Sequence, residues 1–164
     1  MNKVAVYALI VKALEKRFET AKWAAHQAYD AATSEESVAE NKYDTFGLEA
    51  SYLAHGQSQR VLECESDYLS FSNHKTVHFS VDDEIKTGAL VGLQSLDSPS
   101  QTEKWFYLSA CAGGLNIELE GGQGVFLITP SSPVGLALVG KTEGDDVLLR
   151  QSGKEIVYEI VSVL

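Results

Sequence analysis

Apolar positions along the first part of the chain repeat with one period, and along the second part with another. Val4, Tyr7, Val11, Leu14, Phe18, Ala21, Ala25, Ala28 and Ala32 follow one another at alternating steps of three and four. Such a spacing is a heptad seam. It is bulky at its start and pure alanine at its far end, so the far end should be slender. Ala39, Tyr43, Phe46, Ala50, Leu53 and Gln57 keep the same alternation, which loosens through Val61, Cys64, Tyr68 and Phe71. Gly47 and Gly56 weaken this second helix by up to about 1 kcal/mol each. Two seamed helices joined by a short polar turn predict an antiparallel coiled-coil hairpin. About 30 residues per helix at a rise of 1.5 Å give it a length of roughly 45 Å.

From residue 76 onward the pattern is that of short strands between glycine-rich turns. Ala89–Leu93, Trp105–Leu108, Leu115–Leu119, Val125–Ile128, Asp146–Arg150 and Ile156–Ile160 read as strands. Ser132 is placed to cap a short helix, with Pro133 at its first position and Gly140 past its end. Val134, Leu136, Leu138 and Val139 are expected to cover the sheet, and Trp105 and Phe106 to lie in the core. The fold class is α+β: a helical hairpin, then an antiparallel sheet crossed by one helix. The expected division is 1–74 and 75–164, at the polar linker Ser72-Asn73-His74-Lys75.

The turn between the helices reads AATSEESVAENKYDT, residues 31–45. Thr33 with Glu36, or Ser37 with Glu40, fits a capping box. Carboxylates near a helix N-terminus also gain from the helix dipole. These roles absorb two or three of the polar groups and leave a surplus among Glu35, Glu36, Glu40 and Asp44.

Composition narrows the function. The net charge is −10. Residues 1–75 carry eight Lys/Arg and eleven Asp/Glu, and residues 76–164 carry five and twelve. Nucleic-acid affinity comes largely from neutralised phosphates, so autonomous DNA or RNA binding is not expected, and a protein partner with a basic surface is. Lys12, Lys16, Arg17 and Lys22 alternate with Glu15 and Glu19 as a solvated helix face. No run of 18 apolar residues is present, so no membrane span is expected. The opening MNKVAVYALIVKAL has too short an apolar stretch for a signal peptide and reads as the start of a helix in a cytoplasmic protein. Cys64 and Cys111 form no CxxC and read as two buried, reduced thiols. His74 and His78 lack the further ligands that a tetrahedral metal site needs.

SSPVGLALVGKTEGDDV followed by SGKEIVYEIVSV resembles the C-terminal domain of the bacterial Gre-type (GreA/GreB-like) transcript-cleavage factors. The matching features are Ser132-Pro133, Leu138, Gly140-Lys141, Gly144-Asp145 and the closing Ile156–Val163. Glu40-Asn41-Lys42-Tyr43 is similar to the tip motif of the same family, in which an Asp lies three residues before a Glu-Asn. The resemblance spans nearly the whole chain in the order hairpin, linker, FKBP-like sheet.

That resemblance implies a regulator of transcription elongation whose partner is core RNA polymerase. Its C-terminal domain would dock on the polymerase rim through Ser132, Pro133, Leu138, Gly140 and Lys141. Its hairpin would enter the secondary channel with Glu36, Glu40, Asn41 and Tyr43 at the tip. There it would assist a Mg²⁺ shared with the polymerase in cleaving backtracked RNA, meeting the RNA 3′ end only indirectly. It would hold no cofactor of its own and be no enzyme in isolation. Ser37 stands where the family has Asp, and Glu36, one helical turn before Glu40, is the candidate substitute. A channel occupant that does not cleave, a prolyl isomerase and an oligomerising coiled coil are the alternatives.

Overall fold

A computed structural model describes residues 1–34, 45–73, 76–80, 82–97, 103–119, 121–151 and 153–164. By contacts the chain divides into two units: Ile10–His74, and Lys75–Leu164 together with Met1–Leu9. The helix α1 (Lys3–Thr33) contributes its first turns to the second of these and the rest to the first.

The first unit holds most of α1 and all of α2 (Phe46–Ser72). α1 contains neither Gly nor Pro and is rich in alanine, the residue with the best helix propensity. Arg17 lies 4.0 Å from Asp67, and the rings of Phe18 and Tyr68 stack at 6.2 Å and 16°. The stack contributes about 0.5–1.5 kcal/mol beyond its buried area, and the partly exposed ion pair less than about 1 kcal/mol. Chain length then fixes the direction. Were the helices parallel, the end of α1 and the start of α2 would stand about 55 Å apart, whereas the link from Thr33 to Phe46 reaches at most about 47 Å. The two helices are therefore antiparallel.

The seam differs from its expected course at two places. On α2 Gly47, Ala50, Ala54, Gln57, Val61, Cys64, Tyr68 and Phe71, an alternation of three and four, are all less exposed, with Glu65, Asp67 and Ser70 half-buried beside them, while Phe46 and Leu53 are exposed. The register set by Phe18 and Tyr68 brings Ala54 and Gln57 beside Ala28 and Ala32. At Phe46 and Leu53 alike the small residue one position on is the less exposed one, and the large apolar side chain is turned outward. On α1 the seam holds from Leu14 through Ala32, but Val4 is exposed and Val6 and Ile10 are buried. Residues 1–9 belong with the sheet unit, so a different face of the helix is covered at Val6. Thr33 closes α1, its hydroxyl donating to Tyr29 O at 3.0 Å, and does not open a capping box. Ser37 and Glu40 lie outside the described residues.

The second unit is a six-stranded sheet: β1 (Leu90–Ser95), β2 (Lys104–Leu108), β3 (Asn116–Glu118), β4 (Gly124–Ile128), β5 (Asp146–Gln151) and β6 (Lys154–Val163), in the order β3-β4-β2-β1-β6-β5. The sheet is mixed, not antiparallel throughout, because β2 and β4 run parallel. β3 pairs with the outer side of β4 instead of lying between β2 and β4, so two neighbours separated by two reversals point the same way.

Both sheet faces are covered. Val91, Leu93, Phe106, Leu108, Val147, Leu149 and Ile160 form one core with Leu138 of α3 (Pro133–Leu138). On the opposite face lie Leu90, Trp105, Tyr107, Val125 and Leu127. Tyr7, from the first turns of α1, meets Tyr107 there at 6.2 Å between rings. The Lys3 ammonium is buried below the same turns, donating to Val77 O and, at 2.6 Å, to Leu164 O, with the Phe79 ring 4.5 Å away. Trp105 and Phe106 are core residues, as expected. Cys64 is buried, Cys111 half-buried, and both are free thiols. Among the described residues no helix is long and apolar enough to cross a membrane. His74, of the weighed histidine pair, lies outside the described residues.

Candidate functional site

α3 and the loop that follows it carry the residues singled out for docking. Ser132 is extended (φ −70°, ψ 155°), and its hydroxyl both accepts from Gly135 N at 3.0 Å and donates to Thr129 O at 2.7 Å. It caps α3, as the Ser-Pro pair predicts. Pro133 follows at the first helical position, exposed. Gly135 lies so close to the preceding strand end that a Cβ there would stand 2.0 Å from Thr129 O. Only glycine permits that approach.

Past the helix the chain is pinned. Gly140 adopts φ 78° and donates its N–H to Ile85 O at 2.9 Å. Ile85 N–H donates back to Lys141 O at 2.8 Å. Asp145 then accepts from Thr142 N at 2.8 Å and Thr142 Oγ at 3.2 Å. The backbone hydrogen bond from Thr142, with its hydroxyl and the Lys141 charge, holds the Asp145 carboxyl below the ordinary range against a smaller desolvation. α3 is thus fixed at both ends on a rigid sheet.

Of the five residues expected at a docking surface, Ser132 is a cap, Leu138 is fully buried, and Gly140 and Lys141 form the backbone clip to Ile85. Pro133 faces out. The outward apolar side chains of the helix are Leu136, 70% exposed, and Val139 at its end, 46% exposed. Both were expected to cover the sheet. Leu138 and half-buried Val134 do so, and a residue two steps from a buried one falls on the other side of a helix. The signal was in the sequence: VGLALV has too many apolar residues for one face of a six-residue helix. The tip residues Glu36, Glu40, Asn41 and Tyr43 all lie outside the described residues.

No protein-family model matches the chain. The transcription elongation factor GreA of Nitratidesulfovibrio vulgaris aligns over 161 residues at 30% identity, covering 96% of this chain and 89% of the relative. The chain belongs to the Gre family of transcription elongation factors. Other Gre relatives match over shorter stretches. GreA of Pseudomonas aeruginosa is 48% identical over 46 residues, 28% of this chain and 27% of that protein. GreA of Anaeromyxobacter is 36% identical over 81 residues, 49% of this chain and 43% of that protein. The matched stretch thus spans less than half the length of either. Among solved structures, Gfh1, the GreA factor homolog 1 of Thermus thermophilus, aligns over 94% of both chains at 20% identity and a TM-score of 0.38. Gfh1 of Thermus aquaticus aligns over 95% of this chain and 94% of that one, at 17% identity and a TM-score of 0.39. Scores this low carry no weight in the assignment to the Gre family, which rests on the full-length relative.

Proposed function

We propose that the chain binds core RNA polymerase and inserts its hairpin into the secondary channel. The observation that carries this reading is the alignment to an elongation factor across both the hairpin and the sheet unit. Docking falls to the outward side of α3, Pro133, Leu136 and Val139, held rigid by Ser132, Gly140 and Lys141 behind it. Glu36, Glu40, Asn41 and Tyr43 then lead into the channel. Glu36, Glu40 and Asn41 offer oxygen donors of the kind Mg²⁺ takes while keeping several waters. A Mg²⁺ shared there with the polymerase would supply the activation of water for cleavage of backtracked RNA. The polymerase does the cutting, so the chain is no enzyme by itself and works in the cytoplasm where its partner is.

Retention on immobilised core polymerase tests the docking. Wild type is retained, and Leu136→Glu with Val139→Glu is not, although its thermal unfolding is unchanged. Retention of that double variant excludes α3 as the docking face, and failure of the wild type to bind excludes the whole reading. Ser37 favours a second version, in which the hairpin occupies the channel without promoting cleavage. A hydroxyl is a weaker Mg²⁺ ligand than the carboxylate it replaces, and a backtracked-complex assay with Glu36→Ala and Glu40→Ala separates the two versions.

A further inference from the structure

The distal half of the hairpin has an unusual surface. Its seam is made of small residues and Gln57, so the large apolar side chains of these segments point elsewhere. Trp23 is 66% exposed, Tyr52 70%, and Tyr29, Leu48 and Leu53 are also exposed. In an antiparallel pair, residues just before an a-type seam position share one flank and residues just after a d-type position share the other. Arg17 and Asp67, each one before a seam aromatic, are paired and mark the first flank. Leu53, one before Ala54, lies on that flank. Tyr29, one after Ala28, lies on the opposite flank. Trp23 on α1 and Tyr52 on α2 point away from the seam on opposite sides. Exposed apolar groups therefore surround the hairpin instead of lining one side.

Charge is sparse in the same stretch. Among the described residues of 21–34 and 45–59 the Lys, Arg, Asp and Glu side chains are Lys22, Asp30 and Glu49. Each is engaged within its own helix: Lys22 with Glu19 at 3.1 Å, Asp30 with His26 at 2.9 Å, and Glu49 accepting from Thr45 Oγ at 2.8 Å. Among these described residues a nucleic-acid strand would find one cation, Lys22, already paired, and a phosphate backbone demands many. A second copy of the chain would cover one side of the hairpin and leave the others wet.

We propose that the hairpin segments 21–34 and 45–59, below the acidic tip, are gripped on all sides by an uncharged, apolar protein wall, with Trp23 and Tyr52 as opposed anchors. This rests on the reading that the chain enters a channel of RNA polymerase, and it assigns the grip to aromatic packing rather than to charge. Exposed Trp and Tyr are the residues that dominate such interfaces when desolvated.

The test uses the full chain with its two tryptophans replaced by 5-hydroxytryptophan, whose red-shifted excitation separates it from the polymerase's own tryptophans. Trp105 is buried, so acrylamide quenching reports Trp23. Binding to core polymerase should protect Trp23 from acrylamide, and Trp23→Ala and Tyr52→Ala should each weaken binding by about tenfold or more, with helix content by circular dichroism unchanged. Binding that leaves Trp23 as quenchable as in the free chain overturns the inference and leaves the proposed function standing. Loss of all binding in the unsubstituted chain overturns both. Protection that grows with chain concentration alone, or on adding a single-stranded RNA alone, overturns it in favour of self-association or of RNA.

Discussion

Lys3 shows at the scale of one residue what burial does to a charge. Its ammonium sits under the first turn of α1 with two carbonyls as acceptors and an aromatic ring beside it. Desolvation lowers its pKa from 10.5 to about 8. Between those values the unfolded chain binds more protons than the native one, so stability rises with pH from about 8 toward 10 and is flat from this source below 8. The urea midpoint should therefore increase across that window, and Lys3→Met should remove the increase. A midpoint that rises equally in the variant would show that the effect comes from elsewhere. Tyr107, pushed up to about 12 chiefly by burial, acts in the opposite sense and only above its ordinary value of 10.0. There the native state keeps a proton that the unfolded state has lost.

At the scale of elements, α2 carries a correctable weakness. Gly56 lies on its exposed side, and a Cβ built there meets nothing within 4 Å. Gly56→Ala should stabilise the hairpin by about 0.5–1 kcal/mol through backbone entropy alone, read as a shift in its denaturant midpoint by circular dichroism. A destabilising result would overturn the reading of Gly56 as an ordinary exposed helical position that alanine fits. The elements themselves were legible from period and punctuation: both helices, six strands, and α3 with its Ser-Pro start and Gly140 stop. What the sequence left ambiguous was which of two adjacent apolar residues turns inward. Phe46 against Gly47 and Leu53 against Ala54 were decided by how the partner helix packs, which local pattern does not specify, whereas at α3 the surplus of apolar residues announced that one of Leu136 and Leu138 must face out. The parallel β2–β4 pair was hidden for a related reason: strand patterns give existence, while neighbour order is settled by the whole sheet.

For the whole molecule, the proposed function turns on what the hairpin would accomplish in the channel. By the resemblance, Ser37 stands where the Gre tip motif carries Asp. Ser37→Asp should raise RNA cleavage in a backtracked complex several-fold, since each carboxylate on a shared Mg²⁺ adds to its retention. Unchanged cleavage with unchanged polymerase binding would mean that the tip does not reach the catalytic centre. The order of strands has a consequence of a different kind. β1 is flanked by β2, which follows it closely, and by β6, whose Val163 pairs with Val91 across most of the unit. During synthesis the hairpin helices can find each other through near neighbours, while the sheet must wait for β6 to leave the ribosome. Until then Leu90, Val91 and Leu93 have no cover on one edge, and the first turns of α1 have no sheet to rest on. The first turns of α1 emerge well before β6 and yet are among the last to be fixed, so a nascent hairpin would await its own first turns.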